Sequence, residues 1–476
     1  MSGPASGSAL PHVAVVGGGI TGLAAAYRLQ HLGGVRVTLL EATGRLGGKI
    51  HTCTLNTPDG QFLFEAGADL FLSRKPWALD LVRELGIEGE LASPLPARSR
   101  SYIKRGGRFV PLPDGLSGLV PAALGPLLRS DLLSWRGKLR AAAEPLIPAR
   151  RDDADESLAQ FVERRLGREV YERMAEPLLA GIYGGDGSSL SLAATFPILR
   201  EAERRHGSLL RGLAAAAPPN AGQPPFLSFL DGMERLPEAL AERLTDVDVR
   251  LDQPVHLLAP DEAGFRLDTE AGVLHADAVL LTTPAAEAAR LLRPLDAEAA
   301  DALAAIPNGS VATLSLAFRA DHVPTEKLDA HGYLIPRTAG QPIRACTWTT
   351  SKLPHRAPEG FVVFRFYFGR AGHDDVLEAS DDALEALARA ELADVLGITA
   401  SPVQSYLYRW TDAMPQYTLG HLDRVARAER RLARFPGLHL AGCAYRGVGI
   451  PDCVRQGESA ARAVHDTLHH LHPAFP

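Results

Sequence analysis

The stretch His12-Val-Ala-Val-Val-Gly-Gly-Gly-Ile-Thr-Gly22 lies near the start of the 476-residue chain and joins a short apolar run to a cluster of glycines. An apolar run that ends at glycines predicts a strand that is buried on both faces. The glycines match the pattern Gly-x-Gly-x-x-Gly, and the alanine- and leucine-rich residues 20–30 predict a helix directly after it. A strand, a glycine loop and a helix in this order predict a Rossmann-type dinucleotide-binding unit.

The residues of this loop have separate physical roles in such a unit. Gly17 permits the tight turn, Gly19 lets the backbone approach a pyrophosphate, and Gly22 lets the helix pack closely on the strand. The start of the helix offers free N–H groups and the positive end of the helix dipole to phosphate. The loop is therefore expected to hold the pyrophosphate of the cofactor.

A second apolar strand is predicted at residues 35–40, and Glu41 stands at its end. A carboxylate at this spacing is placed to accept hydrogen bonds from the ribose hydroxyls of the adenosine. An acid at this position, in place of an arginine, disfavours the 2′-phosphate of NADP. The motif alone leaves NAD and FAD open.

The composition is that of a soluble globular chain, with 46% hydrophobic and 22% charged residues. A net charge of -6 argues against nucleic acid as the main partner, because no basic excess is available to neutralise phosphates. Residues 1–10 form a glycine-, serine- and alanine-containing tail without the features of a signal peptide. No window reaches the ~18 apolar residues of a membrane-spanning helix. We therefore expect a cytoplasmic protein.

The four cysteines are Cys53, Cys346, Cys443 and Cys453, and none has the spacing of a metal site. Cys443 and Cys453 are close enough in the sequence to form a bridge. Free, mostly buried thiols of a cytosolic protein are the alternative that the cysteine usage favours. No metal is predicted.

The residues after the second strand resemble a known superfamily. The stretch Glu41-Ala-Thr-Gly-Arg-Leu-Gly-Gly-Lys-Ile50 resembles the extended fingerprint of FAD oxidases of the monoamine oxidase, phytoene desaturase and protoporphyrinogen oxidase superfamily. The resemblance implies that Arg45, Gly47 and Gly48 help to hold FAD. Glycines there let the backbone lie close to the extended dinucleotide.

A second flavin signature lies at the far end of the chain. Leu438-His-Leu-Ala-Gly442 predicts a strand that ends in glycine, and Gly447-Val-Gly-Ile-Pro451 predicts a turn before a helix from Asp452 onward. Backbone N–H groups at such a helix start suit the ring carbonyl and ribityl oxygens of a flavin. An ordinary strand–turn–helix gives the same pattern.

Five segments resemble the protoporphyrinogen oxidase branch, and the similarity extends over nearly the whole chain. They are Glu65-Ala-Gly-Ala-Asp-Leu-Phe-Leu72 with Arg74 and Lys75 after it, Glu176 to Asp186, Leu192 to Pro197, His206 to Leu209, and Trp410 to His421. Two further segments, Ala345-Cys-Thr-Trp-Thr349 and Gly447 to Cys453, resemble the Gram-positive-type subgroup of coproporphyrinogen III oxidases.

The resemblance implies oxidation of coproporphyrinogen III to coproporphyrin III in heme synthesis, with molecular oxygen as acceptor and hydrogen peroxide as product. Members of the subgroup can often also oxidise protoporphyrinogen IX, so the physiological substrate stays open. An amine oxidase is disfavoured because aromatic residues are only 6% and no aromatic pair flanks Gly447. A carotene desaturase should have a larger apolar face than residues 116–133 provide. A flavin-binding protein without turnover would have degenerate cofactor loops, and these loops are intact.

The resemblance also assigns site residues, although no catalytic residue is predicted because the flavin carries the chemistry. Lys75 and Arg74 are expected to be the cations that bind the substrate propionates. Ile182 and Tyr183 are expected to line an apolar slot for the macrocycle. The cofactor-binding residues are Gly17, Gly18, Gly19, Thr21, Gly22, Glu41, Ala42, Arg45, Leu46, Gly47, Gly48, Lys49, Gly67, Ala68, Asp69, Val255, Gly442, Gly449, Ile450 and Pro451. Peripheral membrane contact and transient contact with other enzymes of heme synthesis stay open.

The expected fold class is α/β, with a Rossmann-type FAD-binding domain, a mixed-sheet substrate domain and a helical domain. The FAD-binding domain is expected to be discontinuous and to consist of residues 1–90, 223–296 and 430–476. Residues 91–222 are expected to be mostly helical and residues 297–429 to bind substrate. The proline- and alanine-rich residues 213–225 predict a boundary loop. Residues 116–133 fit either an interfacial amphipathic surface or, preferably, buried helix.

Overall fold

The computed structural model describes residues 10–215, 224–262, 264–370 and 375–471 of the chain. Most of the predicted tail at 1–10 and most of the predicted loop at 213–225 lie outside the described residues, as do the expected domain ends at 1, 222, 223 and 476.

The strands of the described residues are β1 (His12–Val16), β2 (Arg36–Leu40), β3 (Thr52–Thr57), β4 (Gly60–Glu65), β5 (Phe71–Leu72), β6 (Leu91–Ala92), β7 (Tyr102–Arg105), β8 (Arg108–Pro111), β9 (Leu116–Ser117), β10 (Val120–Pro121), β11 (Phe226–Phe229), β12 (Val247–Arg250), β13 (Val255–Asp261), β14 (Gly264–Thr269), β15 (Gly272–Ala276), β16 (Ala278–Leu281), β17 (Asn308–Arg319), β18 (Gly332–Leu334), β19 (Ile343–Trp348), β20 (Phe361–Phe368), β21 (Gln404–Pro415) and β22 (Leu438–Leu440).

The α-helices of the described residues are α1 (Ile20–Leu32), α2 (Pro76–Leu85), α3 (Leu124–Arg129), α4 (Trp135–Ala142), α5 (Leu158–Leu166), α6 (Arg168–Val170), α7 (Glu176–Tyr183), α8 (Leu192–Thr195), α9 (Pro197–His206), α10 (Leu209–Ala215), α11 (Arg235–Glu242), α12 (Ala285–Leu292), α13 (Ala297–Ala304), α14 (Thr349–Lys352), α15 (Asp381–Leu396), α16 (His421–Leu432) and α17 (Ile450–Leu471).

Five parallel strands form the first sheet, in the order β12-β2-β1-β16-β22. Val13 and Val15 pack into the hydrophobic core on one face of β1, and Ala14 and Val16 pack into the core on the other face. The strand is therefore buried on both faces, as its apolar run predicts. Helices α1 and α17 share the first of these cores. The predicted α/β fold with a Rossmann-type unit is confirmed.

A mixed sheet of seven strands forms the second layer, in the order β21-β17-β20-β19-β18-β7-β8. Successive residues of a strand point to opposite faces. On β20, Phe364 and Phe366 pack into a core with Leu392 of α15. Arg365 and Tyr367 alternate with them: Arg365 donates to the carbonyl of Gly67 in the loop that follows β4, and the Tyr367 ring lies 5.8 Å from Cζ of Arg344. This second face is the one that borders the first sheet's domain.

The expected mostly helical range, residues 91–222, differs from the structure in one part. Helices α3 to α10 lie there, but β7 and β8 form a hairpin, and β7 pairs in parallel with β18 of the seven-stranded sheet. The turn Gly106-Gly107 has φ of +55° and +73°, which glycine adopts without strain. Lys104 of β7 donates to Glu391 of α15 at 2.7 Å, and both side chains are buried. The hairpin therefore belongs to the seven-stranded sheet.

The apolar residues 116–133 contribute to the core of the helical region. Leu119, Val120, Leu127 and Leu132 are fully buried there. Leu128 of the same segment stays 41% exposed, so one apolar side chain of α3 faces outward. Among the described residues, no helix is both long enough and apolar enough to cross a bilayer.

Candidate flavin and substrate site

The glycine loop after β1 has the geometry that its motif requires. Gly17 has φ of +111°, and a Cβ on Gly22 would lie 1.9 Å from the carbonyl oxygen of Gly17. A Cβ on Gly18 would lie 2.6 Å from Cδ2 of Leu46. A Cβ on Gly19, by contrast, would have no neighbour nearer than 4.0 Å. The backbone at Gly19 is thus open to a ligand at the start of α1, where the first N–H groups have no partner within the helix.

Glu41 closes the same loop from the end of β2. Its Oε2 atom accepts from the amide of Gly18 at 2.7 Å, and its Oε1 atom accepts from the amide and hydroxyl of Thr43 at 2.9 and 2.8 Å. A carboxylate has about four acceptor positions, so capacity remains for a ribose hydroxyl. Ala42 is exposed beside it.

The segment after Glu41 lies directly on the glycine loop. Gly47 donates its amide to the carbonyl of Gly18 at 2.9 Å, and Gly19 and Gly47 form a parallel bridge. A Cβ on Gly48 would lie 3.1 Å from Cα of Gly19. Arg45 donates to the carbonyl of Gly48 at 2.5 Å and to Oε1 of Glu234 at 2.9 Å. In this structure Arg45 therefore holds the shape of the segment.

The loop after β4 is fixed by donors from the seven-stranded sheet. The carbonyl of Ala66 accepts from Thr313 at 3.1 Å, from Trp410 at 2.9 Å and from Arg365 at 3.2 Å. Arg365 also donates to the carbonyl of Gly67 at 2.6 Å. These bonds join the loop to the face of the sheet that borders the first domain.

Three further predicted residues lie along this loop. A Cβ on Gly67 would lie 2.1 Å from the carbonyl oxygen of Lys49, so the loop touches the segment at 45–49. Ala68 is exposed next to Gly67. Asp69 accepts from Lys352 at 2.8 Å. Burial acts to raise the pKa of Asp69, but the charges of Lys352 and neighbouring arginines outweigh it and lower the pKa to about 2.

The start of α17 completes the site from the other end of the chain. Lys49 contacts the sulfur of Cys443 at 3.4 Å, beside Gly442. Asp452, in the first turn of α17 after Gly449, Ile450 and Pro451, accepts from Lys75 at 2.5 Å. The four cysteines are free thiols, so Cys443 and Cys453 are not bridged.

Val255 lies at the edge of this arrangement. It begins β13 and is 4% exposed, within the hydrophobic core on the second face of the first sheet. Gln253, two residues earlier, donates its amide to the carbonyl of Glu41 at 2.9 Å. Val255 thus follows the corner at which Glu41 stands.

The predicted substrate residues occupy different environments. Lys75 is 43% exposed at its side chain but is paired with Asp452, and Arg74 is exposed. Ile182 is 44% exposed at the end of α7. Tyr183 is 5% exposed, and its ring packs 6.1 and 6.0 Å from the rings of Phe196 and Tyr417. The expectation that Tyr183 lines the macrocycle slot stays a prediction.

Several residues on the face of the seven-stranded sheet that borders the loop at 66–69 were not predicted from the sequence. Arg365 and Tyr367 lie on β20, Arg344 lies on β19, and Tyr408 and Trp410 lie on β21 with ring centroids 4.6 Å apart. The arginine in the otherwise apolar run Phe361 to Phe368 is a signal that could have been used, since a charge in a buried strand needs a partner.

Four segments that are distant in the sequence therefore converge beyond the carboxyl end of β1. They are residues 17–22, 41–49, 66–69 and 442–452. The open backbone at Gly19, the exposed helix start and the free acceptor capacity of Glu41 fit an adenine dinucleotide. The fold and site define a Rossmann-type dinucleotide-binding protein with a separate seven-stranded sheet.

Comparison with known proteins specifies the family. The family described as flavin containing amine oxidoreductase matches residues 20–465, and the chain belongs to this family. The match confirms the prediction of a flavin enzyme.

Individual relatives show which members of the family the chain is similar to. The chain is 37% identical over 475 residues to the coproporphyrinogen III oxidase of Bacillus subtilis (strain 168), covering 97% of this chain and 98% of the relative. A crystal structure from Exiguobacterium sp. 255-15, assigned as a protoporphyrinogen oxidase, has a TM-score of 0.85 and 34% identity and covers 97% of this chain and 100% of that one. Cyclohexylamine oxidase from Brevibacterium oxydans IH-35A, at 19% identity and a TM-score of 0.70 over 97% of this chain and 100% of that one, shares the fold.

Proposed function

We propose that the chain uses FAD to oxidise coproporphyrinogen III to coproporphyrin III in heme synthesis, and that it also oxidises protoporphyrinogen IX. The observation that carries the proposal is the similarity to a coproporphyrinogen III oxidase over nearly the full length of both chains. The likeness to the Exiguobacterium protein supports the second substrate. We further propose that molecular oxygen accepts the electrons, that hydrogen peroxide forms, and that the chain acts in the cytoplasm.

The proposed cofactor site uses the four converging segments. The loop from Gly17 to Gly22 would hold the pyrophosphate at the start of α1, Glu41 would accept from the ribose, and Val255 would lie near the adenine. The remaining residues proposed to contact FAD are Ala42, Arg45, Leu46, Gly47, Gly48, Lys49, Gly67, Ala68, Asp69, Gly442, Gly449, Ile450 and Pro451. We assign residues 1–90, 223–296 and 430–476 to this domain.

When bound, the flavin supplies the hydride acceptor for the reaction. The residues of the chain are proposed to bind and orient the cofactor and the substrate. The bonds from Arg365, Thr313 and Trp410 to the loop at 66–67 fix the distance between the cofactor site and the substrate sheet. Position matters here because a reacting pair held in the right geometry avoids an entropic cost of several kcal/mol.

Substrate carboxylates need cations at the site. Lys75 and Arg74 are proposed for this role at the entrance, and Ile182 offers apolar surface to the macrocycle. Lys75 holds the carboxylate of Asp452 in this structure, so a propionate would have to share or displace that contact. Tyr183, the residue after Ile182 on α7, is proposed to line the same apolar slot.

A flavin amine oxidase is a second candidate, and one observation favours it. Tyr408 and Trp410 form an aromatic pair, and Trp410 is bonded to the loop at Ala66 that borders the proposed flavin site. The residues around Gly447 did not indicate this pair, because Tyr408 and Trp410 lie on β21, distant from Gly447 in the sequence. Paired aromatic rings beside the flavin are the feature expected of amine oxidases.

Purified yellow protein tests the proposal. We would mix it in air with coproporphyrinogen III, protoporphyrinogen IX and benzylamine in separate reactions, following porphyrin fluorescence and peroxide. We expect turnover of both porphyrinogens, faster for coproporphyrinogen III, with peroxide formed in each. An anaerobic reaction should bleach the flavin absorbance without peroxide.

The same reactions separate the candidates. A preference for protoporphyrinogen IX would replace the proposed main substrate. Oxidation of benzylamine without oxidation of either porphyrinogen would refute the proposal and favour the amine oxidase. Bleaching of the flavin by porphyrinogen without peroxide in air would refute molecular oxygen as the acceptor.

A further inference from the structure

A buried guanidinium without a carboxylate partner lies on the substrate sheet. Arg344 is 5% exposed, and its Nη1 atom donates to the carbonyl of Ala180 at 3.0 Å. Its Nε atom has no hydrogen-bond partner, and within the described residues no carboxylate forms an ion pair with it. Arg344 occupies a β-bulge, because the register of β19 against β20 shifts between Ile343 and Ala345. The bulge re-aims this side chain out of the regular alternation.

The guanidinium lies under the exposed end of α7. A Cβ on Gly184 would lie 2.7 Å from its Nη1 atom, and its Cζ atom is 5.8 Å from the centre of the Tyr367 ring. Ala180, whose carbonyl it contacts, is two residues before Ile182, which is 44% exposed. Arg344 therefore lies between the sheet face and the helix end that is proposed to meet the macrocycle.

The charges around Arg344 are mostly positive. Arg370 and Arg365 are buried on neighbouring parts of the sheet. Arg370 is paired with Glu176 at 2.7 Å, whereas Arg365 donates to backbone carbonyls and has its guanidinium 4.9 Å from the centre of the Tyr367 ring. Burial, with the charges of Arg370 and Arg365, lowers the pKa of Arg344 to about 10, against a smaller opposing effect of Tyr367.

A buried charge without a partner is costly, and such groups are retained where a ligand supplies the opposite charge. We propose that Arg344 binds a propionate carboxylate of the porphyrinogen at the inner end of the substrate site. The inference rests on the proposed function. A guanidinium can donate two parallel bonds to a carboxylate, and the unpartnered Nε–H is one such donor. Of the cations expected from the sequence, Lys75 is already paired with Asp452.

The substitution Arg344→Gln removes the charge and keeps a donor for the carbonyl of Ala180. We expect kcat/KM for coproporphyrinogen III to fall on the order of 100-fold, mostly through KM, and binding of coproporphyrin III to weaken by a similar factor. The matched control is Arg319→Gln, which removes an equal charge from the exposed end of β17, where the side chain is 54% exposed. The control is expected to keep the wild-type constants within about twofold.

Two measurements separate substrate binding from a structural role. Bound FAD per chain should be unchanged in Arg344→Gln, and the thermal midpoint of Arg344→Met should equal or exceed that of the wild type, because an uncompensated buried charge is removed. A lower midpoint together with FAD loss would overturn the inference in favour of a structural role. Unchanged KM and unchanged coproporphyrin binding would overturn it directly. Failure of the wild-type protein to oxidise any porphyrinogen would instead refute the proposed function.

Discussion

The buried ion pair between Arg370 and Glu176 joins α7 to the seven-stranded sheet. The Nη1 atom of Arg370 lies 2.7 Å from Oε1 of Glu176, and both side chains are 8% exposed. Oε2 of Glu176 accepts from the amide of Arg337 at 3.0 Å, and Arg370 also donates to the carbonyl of Ile335. Burial raises the pKa of Glu176, and the donor from Arg337 and the charge of Arg370 only partly oppose this. Replacing one partner should therefore lower the free energy of unfolding, because the other partner stays buried without its opposite charge.

We predict that Arg370→Met lowers the free energy of unfolding by about 3 kcal/mol at pH 8, because it leaves a buried carboxylate with one amide donor. The pKa of Glu176 should rise further in this variant. Because the pKa of Glu176 is higher in the folded than in the unfolded state, the loss of unfolding free energy is small at a pH below the unfolded-state pKa. The loss grows as the pH rises through the folded-state pKa. The loss at pH 5 should accordingly be smaller than at pH 8. The double substitution Arg370→Met with Glu176→Leu should recover to within about 1 kcal/mol of the wild type.

Urea unfolding followed by tryptophan fluorescence would measure these differences for the wild type, both single variants and the double variant. Bound FAD would be quantified in each, since cofactor loss shifts the midpoint by mass action. Equal destabilisation in the single and double variants would refute the argument, because it would mean that the lost contacts are steric. A loss in Arg370→Met that is the same at pH 5 and pH 8 would refute the assignment of the cost to an ionised Glu176.

Three further predictions concern the cofactor loop, the entrance and the pH response. Gly22→Ala should weaken FAD retention about 10- to 100-fold, because the added Cβ would overlap the carbonyl of Gly17 in the turn before the helix. Flavin absorbance per chain would measure this retention. The control Gly89→Ala should retain FAD, because no atom lies within 4 Å of its added Cβ. Lys75→Met should raise the KM for coproporphyrinogen III about tenfold, because it removes an exposed cation at the proposed entrance. An unchanged KM would exclude a substrate role. Burial lowers the pKa of His421 to about 4. The free energy of unfolding should therefore fall by up to about 3 kcal/mol as the pH drops from about 6.5 towards 4. His421→Gln should show a smaller decrease of the urea midpoint between pH 7.5 and 4.5.

The local patterns of the chain predicted the cofactor half of the molecule well. The glycine loop, its helix and the acid at position 41 depend on residues within about 30 positions, and their geometry follows from steric rules for glycine and from helix termini. The convergence of residues 442–452 with them was available only through the resemblance. No local rule places Asp452 next to Lys75, which lies 377 positions away in the sequence.

The half that contains the seven-stranded sheet was harder to predict because it depends on long-range strand pairing. The hairpin of β7 and β8 lies in a range expected to be helical, yet its buried Lys104 pairs with Glu391 of α15. Helical spacing alone does not give the side of α7 that faces the core, where the Tyr183 ring packs against Phe196 and Tyr417. The buried arginines of β19 and β20 stand in apolar runs, where a strand pattern combined with the cost of a buried charge would have marked them.

The distribution of charge limits how an acidic substrate can be recognised. The chain has a net charge of -6, so its overall field does not favour an approaching carboxylate. Exposed charges are screened beyond about 8 Å at physiological salt, whereas buried groups are screened much less. Recognition must then come from cations in contact with the substrate, and Arg344 is a buried one whose charge no carboxylate of the described residues neutralises by an ion pair. It follows that loss of Arg344 should weaken substrate binding nearly equally at low and high salt, while loss of Lys75 should matter less as salt is raised.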